Sequence, residues 1–419
     1  MKILLKNATV IDSSSELHCK TLSFLIEDGI IKQIDDKISI KSDLIIEKEN
    51  LHISRGWFDP SVSFGEPGYE ERETLDNGLK VAAKSGFTSI GLNPDLIPFS
   101  DSHSAVSHLK NKSIGYTTTL YPIGNLTESA KGKKLASLYD IKKAGAIYFG
   151  DYKKSTENAN LIKIALEYSQ TFNGIICSYP LNKYLSQNGN VNEGITSLNH
   201  GLNGISKIAE TTRILRDIKI LEYSGGKMHF SHITTKESVD IIESAKKSGL
   251  NISCSVGLPH LLFTDEEISD FDSNYKFLPP LRTNEDRLSL RKGVLSGVID
   301  CVTSMHEPKN TEIKNLDFNL AADGSIGLEA FFPLLNSIFP IEKTIQILNR
   351  GKNIFEIKNE TIEVGNHANL SLFDPNKTGK FSNRYILSTS NNCTYINQNI
   401  KGTVFGSINN SILSLNDEK

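Results

Sequence analysis

No apolar run in this 419-residue chain approaches the roughly 18–20 residues that cross a bilayer, so no membrane-spanning helix is expected. Nor does one sign of charge dominate. Forty-six Lys and Arg stand against 49 Asp and Glu, a formal net charge of −3 with both signs dispersed, which removes the electrostatic case for nucleic acid or an anionic membrane as partner. Cysteine is sparse and unpatterned: Cys19, Cys177, Cys254, Cys301 and Cys393 form no Cys-x-x-Cys pair, and Cys177, Cys254 and Cys301 lie inside apolar runs. Such thiols are expected to be inert core residues of a reduced, cytoplasmic protein. Low-complexity tracts and internal repeats are lacking too. The opening Met1-Lys2-Ile3-Leu4-Leu5-Lys6 is too short an apolar stretch for a signal peptide, and reads as a strand entering a fold.

What is present is two textures. Residues 1–53 alternate apolar and polar positions between turn signals, predicting short antiparallel strands at Lys2–Val10, Leu22–Glu27, Ile30–Ile34 and Leu44–Glu47, with a turn at Asp28-Gly29. The texture returns near the other end, at Thr361–Val364, Asn369–Phe373, Cys393–Ile396, Gly402–Ile408 and Ser411–Leu413. Neither end has enough strands to bury a face alone, so residues 1–53 and 356–419 are expected to form one small β-sandwich. Between them, over 54–355, short apolar runs alternate with amphipathic helices. Predicted strands at Thr88–Leu92, Ala146–Phe149, Gly174–Cys177, Lys227–His232, Asn251–Val256 and Val298–Thr303 each follow a predicted helix. Strands apolar on both faces and separated by helices indicate a parallel sheet, and the repeat count favours a closed (β/α)8 barrel of the TIM type. Tyr179–Leu202, rich in Asn, Gly and Ser, is expected to be a mobile loop on the barrel's active face.

The stretch Trp57-Phe58-Asp59-Pro60-Ser61-Val62-Ser63-Phe64-Gly65-Glu66-Pro67-Gly68 resembles the first-strand signature of dihydroorotases and their amidohydrolase relatives, Asp-x-His-x-His-Phe-Arg-Glu-Pro-Gly. The resemblance runs across essentially the whole chain. It implies a barrel with a sandwich split between the termini and, in the family, two zinc ions that polarise a cyclic amide and deprotonate the attacking water. Ser61 and Ser63 stand at the two histidine positions, and Gly65 stands where the family's arginine grips the substrate carboxylate. Asp95 replaces the substrate-binding asparagine of Met-Pro-Asn-Thr, where an acid would repel a carboxylate. Asp151 falls on the bridging-ligand position, Ser178 on the histidine of Val-His-Ala-Glu-Asp, and His232 on the histidine of His-Val-Ser-Thr. Leu278 replaces the asparagine of Asn-Pro-Pro-Leu-Arg, and Met305 the aspartate of Ala-Thr-Asp-His-Ala-Pro-His, which would ligate zinc and act as general base. His306 is kept, but alternation points it to the other face; Glu307 is the one nearby substitute carboxylate.

By this alignment Asp151 and His232 remain as residual metal positions, whereas Ser61, Ser63, Ser178 and Met305 have lost their ligands. A catalytic zinc takes three protein ligands and a water, so no stoichiometric zinc and no other cofactor is expected. With Gly65 and Asp95 the substrate contacts go as well. The resemblance thus implies a catalytically inactive dihydroorotase-like protein of pyrimidine biosynthesis, a structural partner of aspartate transcarbamoylase or one that self-associates. The alternative is an active dihydroorotase or other cyclic-amide hydrolase with an altered or single-metal site.

Overall fold

Strands buried at every position need cover on both faces, and three of them, Trp57–Val62, Phe87–Leu92 and Ile252–Gly257, set the architecture. A computed structural model, which describes residues 1–416, arranges them in a ring of parallel strands with helices outside. In chain order the ring runs Trp57–Val62, Phe87–Leu92, Thr119–Pro122, the bridge residue Phe149, Ile175–Ser178, Lys227–Phe230, Ile252–Gly257 and Cys301–Thr303. Helices Leu75–Lys84, Ile208–Ser224, Lys236–Lys247 and Asn284–Ser296 pack their apolar faces on it. Their starts are set locally. Thr74, Thr235 and Thr283 each accept a hydrogen bond from a first-turn N–H, and Asp286 completes a capping box with Thr283.

Closure of the ring rests on Asp59. Fully buried in the first strand, its carboxylate accepts from Ser61 N at 3.1 Å and, across the seam, from Ser304 N at 3.0 Å. Thr303 Oγ1 donates to Ser61 O at 2.8 Å, and Ser63 N donates to His306 O at 2.8 Å. Burial raises the Asp59 pKa to about 6, against the opposing pull of its hydrogen bonds at Ser304, Ser61 and Thr303.

Strands from both chain ends share one sheet, in the order Ile412–Leu415, Asn399–Asn409, Leu370–Lys380, His52–Arg55, Lys2–Val10, Thr21–Glu27, Ile30–Asp35, with Leu44–Ile46 beside Lys2–Val10. A bulge between Leu5 and Ala8, with Asn7 at φ +52°, switches the side-chain parity of the first strand. Ile3 and Leu5 before it, and Ala8 and Val10 after it, therefore reach the same apolar cluster. The bulge also marks a change of neighbour, from Leu44–Ile46 to His52–Arg55.

Several local expectations differ from the structure. Ala146–Phe149 is reduced to one residue of pairing, Phe149, which bridges Gly124 and Ile176. The strand Thr119–Pro122 (Thr-Leu-Tyr-Pro) is too short and mixed to have been read from the sequence. Thr361–Val364 and Cys393–Ile396 are turns and irregular chain, not strands; their apolar residues Ile362 and Tyr395 are buried by packing without any ladder. Tyr179–Leu202 is built rather than loose: it holds helices Lys183–Ser186 and Ile195–Asn199 and pairs Val191–Asn192 with Gly204–Ile205. Asn192, bonded to Asp265 and to the buried Arg282, pins this segment to its neighbours.

Asp59→Ala should leave two buried N–H groups at the seam without acceptors, lowering unfolding free energy by about 2–5 kcal/mol. Asp59→Asn, which keeps one acceptor oxygen, should cost less. Urea unfolding of the two variants checks this; an alanine variant as stable as the parent would show that the ring closes without Asp59.

Candidate functional site

The C-terminal ends of the ring strands meet at one mouth, where a barrel of this kind carries its chemistry. Ser61, Asn93, Asp151, Cys177, Tyr179 and His232 line a cleft there of about 20 Å³, room for about one water molecule.

At the first two strands the polar groups form one hydrogen-bonded chain, with Asp95 Oδ1 left unpartnered at its end. Ser61 Oγ donates to Asn93 Oδ1 at 2.9 Å, Asn93 Nδ2 donates to Ser63 Oγ at 3.1 Å, and Ser63 Oγ donates to Asp95 Oδ2 at 2.9 Å. Asn93, which the sequence reading passed over, is the centre of this chain and only 2% exposed. Burial, then the nearby Glu307 charge, pushes the Asp95 carboxyl up to about 6.

Of the two retained positions, Asp151 is already engaged. Thr127 N donates to its Oδ1 at 3.1 Å and Thr127 Oγ1 to its Oδ2 at 2.5 Å, while burial moves its pKa up. His232 is the opposite case. It lies in the left-handed region at φ +54°, is 1% exposed, and neither ring nitrogen has a hydrogen-bond partner. Burial, and after it the Lys153 charge, drives its pKa far down, so the ring is neutral.

The fifth strand corrects the alignment. Ser178 turns away from the mouth, and its hydroxyl donates at 2.6 Å to Asp217 on the helix outside the ring, where Asp217 also pairs with Arg216. Strand alternation places Cys177 and Tyr179 in the cleft instead. The mouth-facing residue is therefore Cys177, whose thiol is pushed up to about 12 by burial. Met305 packs into the core at φ +51°, its sulfur against Gly257. His306 does face away as alternation requires, its Nδ1 accepting from the N–H groups of Gly327 and Leu328 at 3.1 and 3.3 Å. Leu278 packs with Tyr179, Leu181 and Ile205 beside the mouth.

Glu307 is not free to replace a lost ligand. Its Oε2 is 2.5 Å from Lys153 Nζ and its Oε1 2.9 Å from Lys309 Nζ, and Lys153 also pairs with Asp323. Burial raises the Asp323 carboxyl, but the Lys153 and Lys309 ammonium groups outweigh it and hold it at about 2. None of these lysines was singled out from the sequence, since a lysine after a strand carries no motif. Gly65 is also fixed: a Cβ there would lie 2.0 Å from the Tyr69 carbonyl oxygen, so an arginine at 65 requires the backbone to move.

This donor set does not fit the zinc pair that the resemblance implies. The serine hydroxyls and the Asp151 oxygens hold hydrogen bonds, a thioether and a high-pKa thiol replace ionisable ligands, and an ammonium lies close by. Among the described residues, the one group of three His, Cys, Asp or Glu donor atoms within 4.8 Å of one another is His18, Cys19 and Glu342, not at the cleft. There, Asp12 N donates to His18 Nδ1 at 3.2 Å, which leaves the ring proton of a neutral imidazole on Nε2, the atom nearest Cys19 and Glu342.

Residues 52–238 match the family model described as "Dihydro-orotase-like". The chain is 32% identical over 410 residues to a protein named dihydroorotase from Carboxydothermus hydrogenoformans, covering 96% of this chain and 95% of that one. It is 33% identical over 416 residues to a dihydroorotase from Aquifex aeolicus, covering 97% and 98%. Among solved structures, an L-hydantoinase (dihydropyrimidinase) from Arthrobacter aurescens superposes with a TM-score of 0.85 at 17% identity, over 100% of this chain and 96% of that one. A dihydropyrimidinase from Brevibacillus agri gives 0.82 at 18%, again over 100% and 96%. At those identities the structures speak for the fold alone, a (β/α)8 barrel with a β-sandwich. Among the described residues no helix is long and apolar enough to cross a membrane.

The Lys153 cluster has a pH signature. The folded pKa of Asp323, about 2, lies below the ordinary carboxylate value of 3.8. Its contribution to stability is therefore present above about pH 4 and is lost as pH falls through 2. The advantage of the parent over Asp323→Asn, measured by unfolding between pH 7 and 2, should hold down to about pH 4 and then shrink. A difference independent of pH would show that Asp323 is not held ionised by the lysines.

Proposed function

The chain belongs to the dihydroorotase family, and from that premise we propose that it serves pyrimidine biosynthesis without hydrolysing dihydroorotate, as a structural partner of aspartate transcarbamoylase. The observation that carries the reading is the hydrogen-bond chain Ser61–Asn93–Ser63–Asp95, which engages both serines at the family's histidine positions beside a cleft with room for about one water. A hydrolase of cyclic amides needs an activated water and a place for its substrate. Here Ser61 and Ser63 are tied together through Asn93, Asp151 is held by Thr127, Met305 offers only a thioether, and zinc is not held in stoichiometric amount. The substrate's carboxylate has no cation at position 65, where a side chain meets the Tyr69 carbonyl, and Asp95 stands where a donor would help. What the chain retains is a rigid barrel, which offers broad external surface for assembly.

A second reading, an enzyme with a single-metal site, has one observation in its favour. His232 is buried at the mouth with both ring nitrogens unpartnered, and it shares the cleft with Asp151 and Cys177. A soft or borderline metal could recruit those donors only after the Thr127–Asp151 bonds are broken and the thiol is deprotonated.

Protein purified from its native cell separates the two readings. The structural reading predicts zinc well below one ion per chain, no dihydroorotate hydrolysis above background even with zinc added, and aspartate transcarbamoylase in the same complex. Stoichiometric zinc together with hydrolysis would overturn inactivity, and a chain that purifies without aspartate transcarbamoylase would overturn the partnership.

A further inference from the structure

Lys153 combines burial, charge and unusual backbone at one point of the mouth. Its side chain is 12% exposed, its φ is +53°, and its ammonium lies 2.5 Å from Glu307 Oε2 while also meeting Asp323. The two acids come from different parts of the chain. Glu307 follows the last ring strand, and Asp323 ends the segment 311–323 that comes after it. Gly324, at φ +108°, allows the approach: a Cβ there would lie 2.5 Å from Glu307 Oε2. Asp95, just beyond the second strand and with one buried oxygen unpartnered, adds negative potential, its carboxyl raised by burial and then by the Glu307 charge. Three acids thus gather where the ring opens, and none of them falls on a metal position of the family.

We infer that the mouth holds a cation site built from Glu307 and Asp323, whose occupant is the protein's own Lys153 ammonium. In that role Lys153 does by covalent attachment what a bound metal ion does elsewhere. It neutralises two converging carboxylates and fastens the loop that ends at Asp323 to the chain just beyond the last ring strand. The same segment is clipped by two further buried lysines through neutral oxygens. Lys276 Nζ donates to the carbonyls of Phe318, Asn319 and Ala321 at 2.8, 3.1 and 2.8 Å, and Lys314 Nζ to those of Ser273, Ala322 and Gly324 at 2.6, 3.0 and 2.8 Å. Of these three lysines only Lys153 faces carboxylates, and it alone bridges Glu307 and Asp323, Lys309 meeting the other oxygen of Glu307; its removal should therefore leave a vacancy with the oxygen donors that a hard divalent cation takes. The inference rests on the non-catalytic reading of the mouth, but its test reads stability and metal response rather than hydrolysis, so each can fail without the other.

The test compares the full chain with Lys153→Ala and with the triple variant Lys153→Met, Glu307→Gln, Asp323→Asn, each melted with and without about 1 mM Mn²⁺. The alanine variant should melt roughly 3–8 °C below the parent, because the buried Glu307 and the partly exposed Asp323 lose the charge that bridges them and share only Lys309. Mn²⁺ should recover several degrees of that loss while leaving the parent unmoved. The neutral triple should regain most of the loss and show no Mn²⁺ response. An alanine variant as stable as the parent, a Mn²⁺ response equal in the two, or none in either, would overturn the inference. Should Lys153→Ala give no folded protein, the triple decides: folding near the parental melting temperature supports the charge account, and failure to fold overturns it.

Discussion

A buried charge must be paired or it is not tolerated, and at the mouth of this barrel that rule falls on Lys153 and Glu307, with the partly exposed Asp323 beside them. Their contact ties the chain just beyond the last ring strand to the segment that ends at Asp323. Lys309 caps the second oxygen of Glu307, and Asp95 and the Ser63–Asn93–Ser61 chain fill the remaining polar positions. A mouth arranged in this way is a stable piece of polar core. A hydrolytic site requires the opposite: donors left open, a pocket large enough for substrate, and charges without internal partners.

The frame around that mouth keeps features of a functional site. His232 and Met305 sit at the ends of the sixth and eighth ring strands, both in the left-handed region at φ +54° and +51°. Non-glycine residues held there store backbone strain that the surroundings must sustain, and such residues gather where side chains are aimed at chemistry. Here the aim is kept while the side chains differ: one is a neutral imidazole with no partner, the other a thioether against Gly257. The backbone is specified by strand pairing and by Asp59 at the seam, neither of which depends on a metal, so the fold outlasts a change of ligands.

Most of the architecture was legible because it is written in periodicity. Strands such as Lys2–Val10, and the switch from alternation to strand–helix repeats, follow from apolar spacing alone. What escaped was short or unpaired: Thr119–Pro122, with four residues of mixed character, and the single bridge at Phe149. At the site, Ser61, Asp151 and His232 do share one cleft, because each is fixed by a strand end. The fifth strand shows the limit. A one-residue slip exchanges the two faces of a strand, so Ser178 was named where Cys177 faces the cleft. Glu307 could be named but not its state, since the lysine that binds it lies more than a hundred and fifty positions away in the chain. Long-range pairing of that kind leaves no local pattern to read.

The central claim is that the mouth is closed by its own polar groups and offers no place for a dihydroorotate carboxylate. Calorimetric titration of the purified protein with dihydroorotate, at millimolar concentration and with and without added zinc, tests it most directly. The account predicts no saturable heat in either condition, because Gly65 supplies no cation, Asp95 repels, and the cleft holds about one water. Stoichiometric, saturable binding that is lost on Ser63→Ala or His232→Ala would contradict it.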